Sequence, residues 1–366
     1  MRVAYVSGDF GPHPVAFFLR TILENHDRSR FEIYAYSNSS QVNSIEPGIR
    51  ACVDHWQTIA SLDDSQVLAQ IRRDEIDIMV DLSGHTNRGR LPVFARRPAP
   101  VQATWLGYLN TTGLAAMDYR ITDAHTDPEG ETEHLHSERL VRMPHSQWCY
   151  FAWQAIDTVA KPHADRPDAI VYGSFNQYAK ITDASLALWS AILAQVRHAE
   201  LVAYDVRQQT SGNRLLARMK ACGIDVGRVT LRGRVPVHEY FTGIGNVDIA
   251  LDTIPYNGAT TSLDTLWMGV PIVGLRGDRG ISRGTYSILR TLGADELIAQ
   301  TVDEYVAANV RLARDREWRA RLRQTLRPRL AASPLMDAPG FTRALEARYR
   351  EMWESWCGSR SGGPPE

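Results

Sequence analysis

The sequence predicts an α/β protein made of two doubly wound halves, and three observations carry that expectation. A chain of 366 residues exceeds the ~250–300 residues at which a single core stops growing. Short β-branched runs alternate with stretches whose apolar residues recur every three or four positions, the pattern of strand–helix–strand units with parallel strands. That alternation stops at residues 152–168, AWQAIDTVAKPHADRPD, which hold two prolines, and then restarts. The domains expected are 1–150, a linker at 151–168, 169–335, and a C-terminal helix with its tail at 336–366.

The first half reads as strands at Val3–Ser7, Phe31–Tyr36, Asp77–Val80, Val101–Trp105 and Tyr119–Thr122, with helices such as Ala16–Glu24 and Ser65–Arg73 between them. In the second half the strands are Ile170–Ser174, Leu201–Tyr204, Val229–Leu231, Val247–Leu251 and Pro271–Val273. Helices follow at Asp183–Gln195, at Arg214–Cys222, after Thr260 and after Ser282. Beyond Val302 the pattern is helical, with Pro328, Pro334 and Pro339 expected to break it. The last run, Pro339–Trp356, carries Phe341, Leu345, Tyr349, Met352 and Trp353 at helical spacing, a stripe that must find a partner surface.

Composition narrows the function. Hydrophobic residues at 44% and charged residues at 23% are globular values. The balance of 41 basic against 42 acidic residues argues against a protein that coats nucleic acid or an anionic membrane. No apolar run approaches the ~18–20 residues of a membrane span, and the opening MRVAYVSGDF reads as a strand. The four cysteines, Cys52, Cys149, Cys222 and Cys357, show no paired spacing, so neither a disulfide framework nor a zinc site is expected. A reducing, cytoplasmic setting fits. Only Lys161, Lys180 and Lys220 of the 41 basic residues are lysine; a lysine inside a motif therefore suggests a need for a compact ammonium.

In doubly wound sheets ligands bind at the carboxyl ends of the strands, so the loops there come first. Asp252–Asp264, DTIPYNGATTSLD, has Pro, Asn and Gly for a turn around Gly258, then Thr260 and Thr261 opening a helix. Such an N-terminus attracts phosphate, although Thr261 and Asp264 are also spaced as a self-sufficient capping box. Gly173–Lys180, GSFNQYAK, offers the Asn176 and Gln177 amides for a base or sugar, and Lys180 where a helix begins. A cation so placed suits an anion rather than the helix dipole. Gly8–Pro14, GDFGPHP, presents His13, a possible base or polariser. Asp81–Arg90, DLSGHTNRGR, offers Asp81 and His85 to orient a substrate. Neither G-x-G-x-x-G nor G-x-x-x-x-G-K-[ST] occurs, and no metal-ligand spacing is present. These loops point to a two-domain enzyme that binds a diphosphate ligand without metal.

The same loops resemble the catalytic region of protein O-GlcNAc transferases and SPINDLY-type transferases, glycosyltransferase family 41, over nearly the whole chain. The landmarks are RVAYVSGDFGPHPV from Arg2, DLSGHTNRGR from Asp81, ARRPAPVQATWLGYLNTTG from Ala95, MDYRITD from Met117, GSFNQYAKI from Gly173, DIALDTIPYNGATTSLDTLWMGVPIV from Asp248 and SPLMD from Ser333. The resemblance implies the GT-B fold, with two Rossmann-like domains and a terminal helix packing back across the molecule. It also implies inverting, metal-independent sugar transfer from a nucleotide sugar to Ser or Thr of a protein or peptide, with no cofactor. By the same resemblance Lys180 and Gln177 meet the diphosphate, Thr260 and Thr261 are the paired threonines, Asp264 the ribose carboxylate, and His13 the histidine near the acceptor. The chain departs from the animal enzymes at Ala259, Val237 and Tyr240, where histidine, lysine and histidine stand in that branch. FNQ and Asp264 favour UDP-GlcNAc, whereas LSGHT and DYRITD look more like the SPINDLY branch, whose plant member uses GDP-fucose. A nucleotide-sugar-binding module without transfer activity is the rival of a different class. Family members usually carry tetratricopeptide repeats ahead of this region, so the sequence is expected to be either a catalytic fragment or a short protein that finds its acceptor otherwise.

Overall fold

The structure, a computed structural model, describes residues 1–41, 43–151, 169–206 and 211–361. The expected linker, residues 152–168, lies outside them. The chain forms two compact units. One comprises the chain up to Phe151 together with everything from Asp337 onward, and the other the stretch between, ending at Met336.

The first unit is built on a seven-stranded parallel sheet. Its strands are β1 (Arg2–Ser7), β2 (Glu32–Ser37), β3 (His55–Thr58), β4 (Ile78–Asp81), β5 (Val101–Thr104), β6 (Tyr119–Asp123) and β7 (Arg139–Met143), in the order β3-β2-β1-β4-β5-β6-β7. The central strands β4 and β5 are buried throughout, as expected of strands covered on both faces. The edge strands β3 and β7, His-Trp-Gln-Thr and Arg-Leu-Val-Arg-Met, are only partly buried. Their mixed polarity is why the hydrophobic pattern did not reveal them.

Helix Pro14–Leu23 follows β1, with Pro14 in the first turn, where its missing N–H costs nothing, and six apolar residues facing the core. Asp63 and Gln66 form a capping box at the start of Asp64–Arg73. The terminal helix Ala338–Ser361 packs on this unit, as the resemblance implied. Phe341 stacks on Trp105 at 5.9 Å, and the Tyr349 and Tyr5 hydroxyls lie 3.1 Å apart. Glu346 accepts from His26 Nδ1 at 2.9 Å and from the Asp27 N–H at 2.8 Å.

The second unit holds β8 (Ile170–Ser174), β9 (Ala199–Ala203), β10 (Val229–Leu231) and β11 (Ile249–Ala250), parallel in the order β10-β9-β8-β11. A separate parallel pair joins β12 (Gly274–Leu275) to β13 (Ile298–Ala299). Two expected strands are shorter than the sequence suggested. Val247–Leu251 keeps only β11, although Asp248 and Leu251 still donate to the carbonyls of Val171 and Gly173. Pro271–Val273 contributes a single bridge, Ala250 to Ile272, because Pro271 accepts from Ala250 but has no N–H to return. Pro328 does not break the chain; it sits inside helix Arg316–Ala331, three residues from its end. Among the described residues no helix is long and apolar enough to cross a membrane.

Candidate functional site

Each sheet has one point where the winding reverses: between β1 and β4 in the first unit, and between β8 and β11 in the second. Loops at such points diverge to opposite faces and leave a crevice at the strand ends. All four candidate loops lie there.

In the second unit, the loop after β8 and the loop after β11 are joined through Asp252. Its buried carboxylate accepts from Asn176 Nδ2 at 3.2 Å, the Thr253 and Gly258 N–H groups at 2.8 Å each, and Thr285 Oγ1 at 2.6 Å. Burial raises its pKa, against these hydrogen bonds and the Lys180 charge. Asn176 is thereby corrected from a base or sugar reader to a strut, since its Oδ1 also accepts from Thr261 Oγ1 at 3.0 Å. Gln177 is exposed, and its amide has no hydrogen-bond partner among the described residues.

Lys180 is the last residue of a short 3₁₀ turn, Tyr178–Lys180, rather than the start of a helix. The helix beyond begins at Asp183 with Thr182 as its cap. The half-buried ammonium donates to the Asn257 carbonyl at 3.0 Å and lies 4.1 Å from the Tyr256 ring centroid. Burial pulls its pKa down to about 8, with Asp252 opposing.

Helix Thr260–Trp267 starts after Ala259 with no side-chain cap, so the N–H groups of its first turn, which have no intrahelical acceptor, receive no capping side chain among the described residues. The capping box that Thr261 and Asp264 might have formed is absent. Thr261 is tied to Asn176, and the buried Asp264 accepts from Tyr240 Oη at 3.0 Å. Thr260 is half-buried, and its hydroxyl has no hydrogen-bond partner among the described residues. Gly258 is required sterically: a Cβ there would sit 2.4 Å from Thr261 Oγ1 and 2.6 Å from Ser262 Oγ. The structure thus gathers Lys180, Gly258, Thr260, Thr261 and, through Tyr240, Asp264 around one uncapped helix start. Val237 is exposed at the first position of helix Val237–Gly245.

In the first unit, Asp81 repeats the role of Asp252. It is buried at the end of β4 and accepts from the Ser83 and Gly84 N–H groups at 3.1 and 2.8 Å and from Thr104 Oγ1 at 2.9 Å. Burial raises its pKa. Its carboxylate shapes the loop, and only the loop can meet a ligand. His13 caps helix Pro14–Leu23, its Nδ1 accepting from the Val15 N–H at 3.3 Å, with Asp9 Oδ2 4.0 Å from the same nitrogen. Asp9 is thus a carboxylate neighbour of His13. His85 is exposed and its Nε2 lies 2.8 Å from the Thr112 carbonyl oxygen. Sequence reading missed the buried supports of the loop after β5, to which Thr112 belongs. Glu138 accepts from the Thr112 N–H at 2.6 Å and from Thr111 Oγ1 at 2.8 Å, and Arg120 donates to the Tyr108 and Asn110 carbonyls at 3.0 and 3.2 Å. Nothing in the local pattern around either residue pointed to this. Among the described residues no group of three or more His, Cys, Asp or Glu could hold a metal ion.

Two doubly wound α/β units with polar loops at both reversal points define the GT-B class. The family model described as Glycosyl transferase family 41 matches residues 1–160 and 156–345, and the chain belongs to that family. It is 37% identical over 367 residues to a tomato (Solanum lycopersicum) protein named a probable UDP-N-acetylglucosamine–peptide N-acetylglucosaminyltransferase, SPINDLY. That match covers 97% of this chain and 39% of the relative. The Arabidopsis thaliana protein carrying the same enzyme name, SEC, is 28% identical over 100% of this chain and 38% of its own. The chain spans about two fifths of the length of these curated relatives. Among solved structures, a mutant of the Thermobaculum terrenum O-GlcNAc transferase superposes with a TM-score of 0.92 at 39% identity, covering 98% of this chain and 69% of that one. An Anabaena protein solved with UDP and glucose shares the fold, with a TM-score of 0.58 at 11% identity.

Proposed function

We propose that this chain transfers N-acetylglucosamine from UDP-GlcNAc to Ser or Thr hydroxyls of a protein or peptide, with inversion at the anomeric carbon and without a metal. The observation that carries the reading is Lys180 beside the uncapped start of helix Thr260–Trp267. Transfer leaves a nucleoside diphosphate whose growing charge must be stabilised. An ammonium held on the Asn257 carbonyl, the N–H groups of the helix start and the Thr260 hydroxyl supply that stabilisation. Asp264, braced by Tyr240, suits a ribose hydroxyl. The acceptor's hydroxyl oxygen attacks the anomeric carbon from the side opposite the leaving diphosphate. The enzyme names of the relatives support the donor and the acceptor class.

GDP-fucose is the competing donor. It is favoured by LSGHT and DYRITD, which look more like the SPINDLY branch, while Tyr240 and Val237 replace residues that the resemblance places against the donor in the animal enzymes. Calorimetric titration with UDP, GDP, UDP-GlcNAc and GDP-fucose decides between them. Incubation with UDP-GlcNAc and a Ser/Thr peptide should yield glycopeptide. Binding without turnover would leave a nucleotide-sugar-binding module in its place.

A further inference from the structure

Two histidines stand at the β1/β4 reversal point, and their hydrogen bonds make them chemically unlike. The Nδ1 of His13 accepts from the Val15 N–H, so the neutral ring carries its proton on Nε2. On protonation that same Nδ1 faces Asp9, 4.0 Å away. In neither state does His13 offer Nδ1 to a ligand. For His85 the relation is reversed. A carbonyl oxygen can only accept, so Nε2, 2.8 Å from the Thr112 oxygen, must carry the proton. The neutral ring is thereby held with its lone pair on Nδ1, and that atom has no hydrogen-bond partner among the described residues. The Tyr108 ring meets the imidazole edge-on at 5.3 Å, and Glu138 and Arg120 hold the backbone of residues 108–112 from beneath. Ring, tautomer and orientation are fixed together.

We infer that His85 is a catalytic residue, the general base that takes the proton of the attacking Ser or Thr hydroxyl through Nδ1, and that His13 is a positioning residue. The inference rests on the transferase reading above. In the step, the hydroxyl oxygen forms its bond to the anomeric carbon as its proton passes to His85 Nδ1. The bond from that carbon to the β-phosphate oxygen breaks, and its electron pair leaves with UDP. The imidazolium, with protons on both nitrogens, keeps its bond to the Thr112 carbonyl and then returns a proton to solvent. The titratable groups that interact with the ring are the buried Asp81, through its charge, and Tyr108, edge-on.

The test is peptide glycosylation by His85→Ala, His85→Asn and His13→Ala, each as a full pH profile, with UDP titration as the control for an intact nucleotide site. A general base contributes roughly 10²–10⁴-fold. His85→Ala should lose that much kcat, lose the rising limb of the profile and keep its UDP affinity. Added imidazole should restore part of its rate, which no purely structural role would allow. His13→Ala should be slower but keep the limb. If His85→Ala keeps the limb, or regains nothing from imidazole, the base lies elsewhere and the inference is overturned. Failure of the wild-type protein to glycosylate peptide while binding UDP would instead overturn the transferase reading, and the inference with it.

Discussion

Tyr240 donates a 3.0 Å hydrogen bond to Asp264, joining helix Val237–Gly245 to helix Thr260–Trp267. The carboxylate is buried, and a phenol whose pKa is raised well above its ordinary value by burial and by that charge stays neutral and keeps donating. By the sequence resemblance Tyr240 stands where the animal enzymes have histidine, and its hydroxyl braces the residue proposed for the ribose.

Tyr240→Phe removes one hydrogen bond to a buried charge, a loss of about 1.5–3 kcal/mol in stability. Denaturant unfolding should register it. UDP should also bind less selectively over its 2′-deoxy analogue, since Asp264 loses its fixed orientation. Unchanged discrimination would remove Asp264 from the ribose site.

Lys180→Ala should weaken UDP binding by about 2 kcal/mol, roughly thirtyfold, the size of a charge-assisted hydrogen bond. Lys180→Arg should recover little, because the planar guanidinium cannot reproduce the contacts with Asn257 and Tyr256. The pH dependence has a definite sign. The folded pKa of about 8 lies below the ~10.4 of an unfolded lysine. The unfolded chain therefore binds this proton more tightly, and the group's stability cost is full below pH 8 and is relieved as pH rises from there. Ligand binding runs the other way: UDP affinity should fall as pH passes 8, with proton uptake on binding. Titrations in buffers of different ionisation enthalpy measure that uptake, which should vanish in Lys180→Ala.

Asp252→Asn removes the charge that opposes the depression of the Lys180 pKa. The fall in UDP affinity should begin at lower pH than in the wild type. The amide can still accept from Thr253 and Gly258, so the cost in stability should stay near 1 kcal/mol. A titration curve that coincides with that of the wild type would separate Asp252 from the phosphate site.

Gly258→Ala should cost about 1–3 kcal/mol through overpacking. Thr261 and Ser262, which the new methyl meets, are tied to Asn176 and Thr285 and cannot simply swing aside. The loss in UDP affinity should exceed the loss in stability, because the displaced atoms belong to the helix start.

Glu346→Ala leaves the buried His26 Nδ1 and the part-buried Asp27 N–H without their acceptor. A loss of about 2–3 kcal/mol in unfolding free energy is expected, with UDP affinity unchanged. A matching loss of UDP affinity would tie the terminal helix to the nucleotide site.

The amino-acid sequence by itself determined the class of fold, the strands of continuous apolar character and the four polar loops at the strand ends. Those features are local: periodicity and turn residues are written within a few positions of one another. The partly exposed edge strands β3 and β7 escaped notice, because a strand that is not covered needs no hydrophobic pattern. Asp252 stood in the sequence only as the first residue of a loop, and Asp81 as a residue to orient a substrate. Tertiary structure made each a hub, accepting from residues as distant as Asn176 and Thr285, or Thr104. It also turned Asn176 from a ligand reader into a strut and paired Tyr240 with Asp264. Most sharply, it set the two histidines apart. A sequence places a histidine but does not say which ring nitrogen bears the proton. That depends on whether the facing group is an N–H, as at Val15, or a carbonyl, as at Thr112, and in His85 the partner is brought near only by the folding of β4 beside β5.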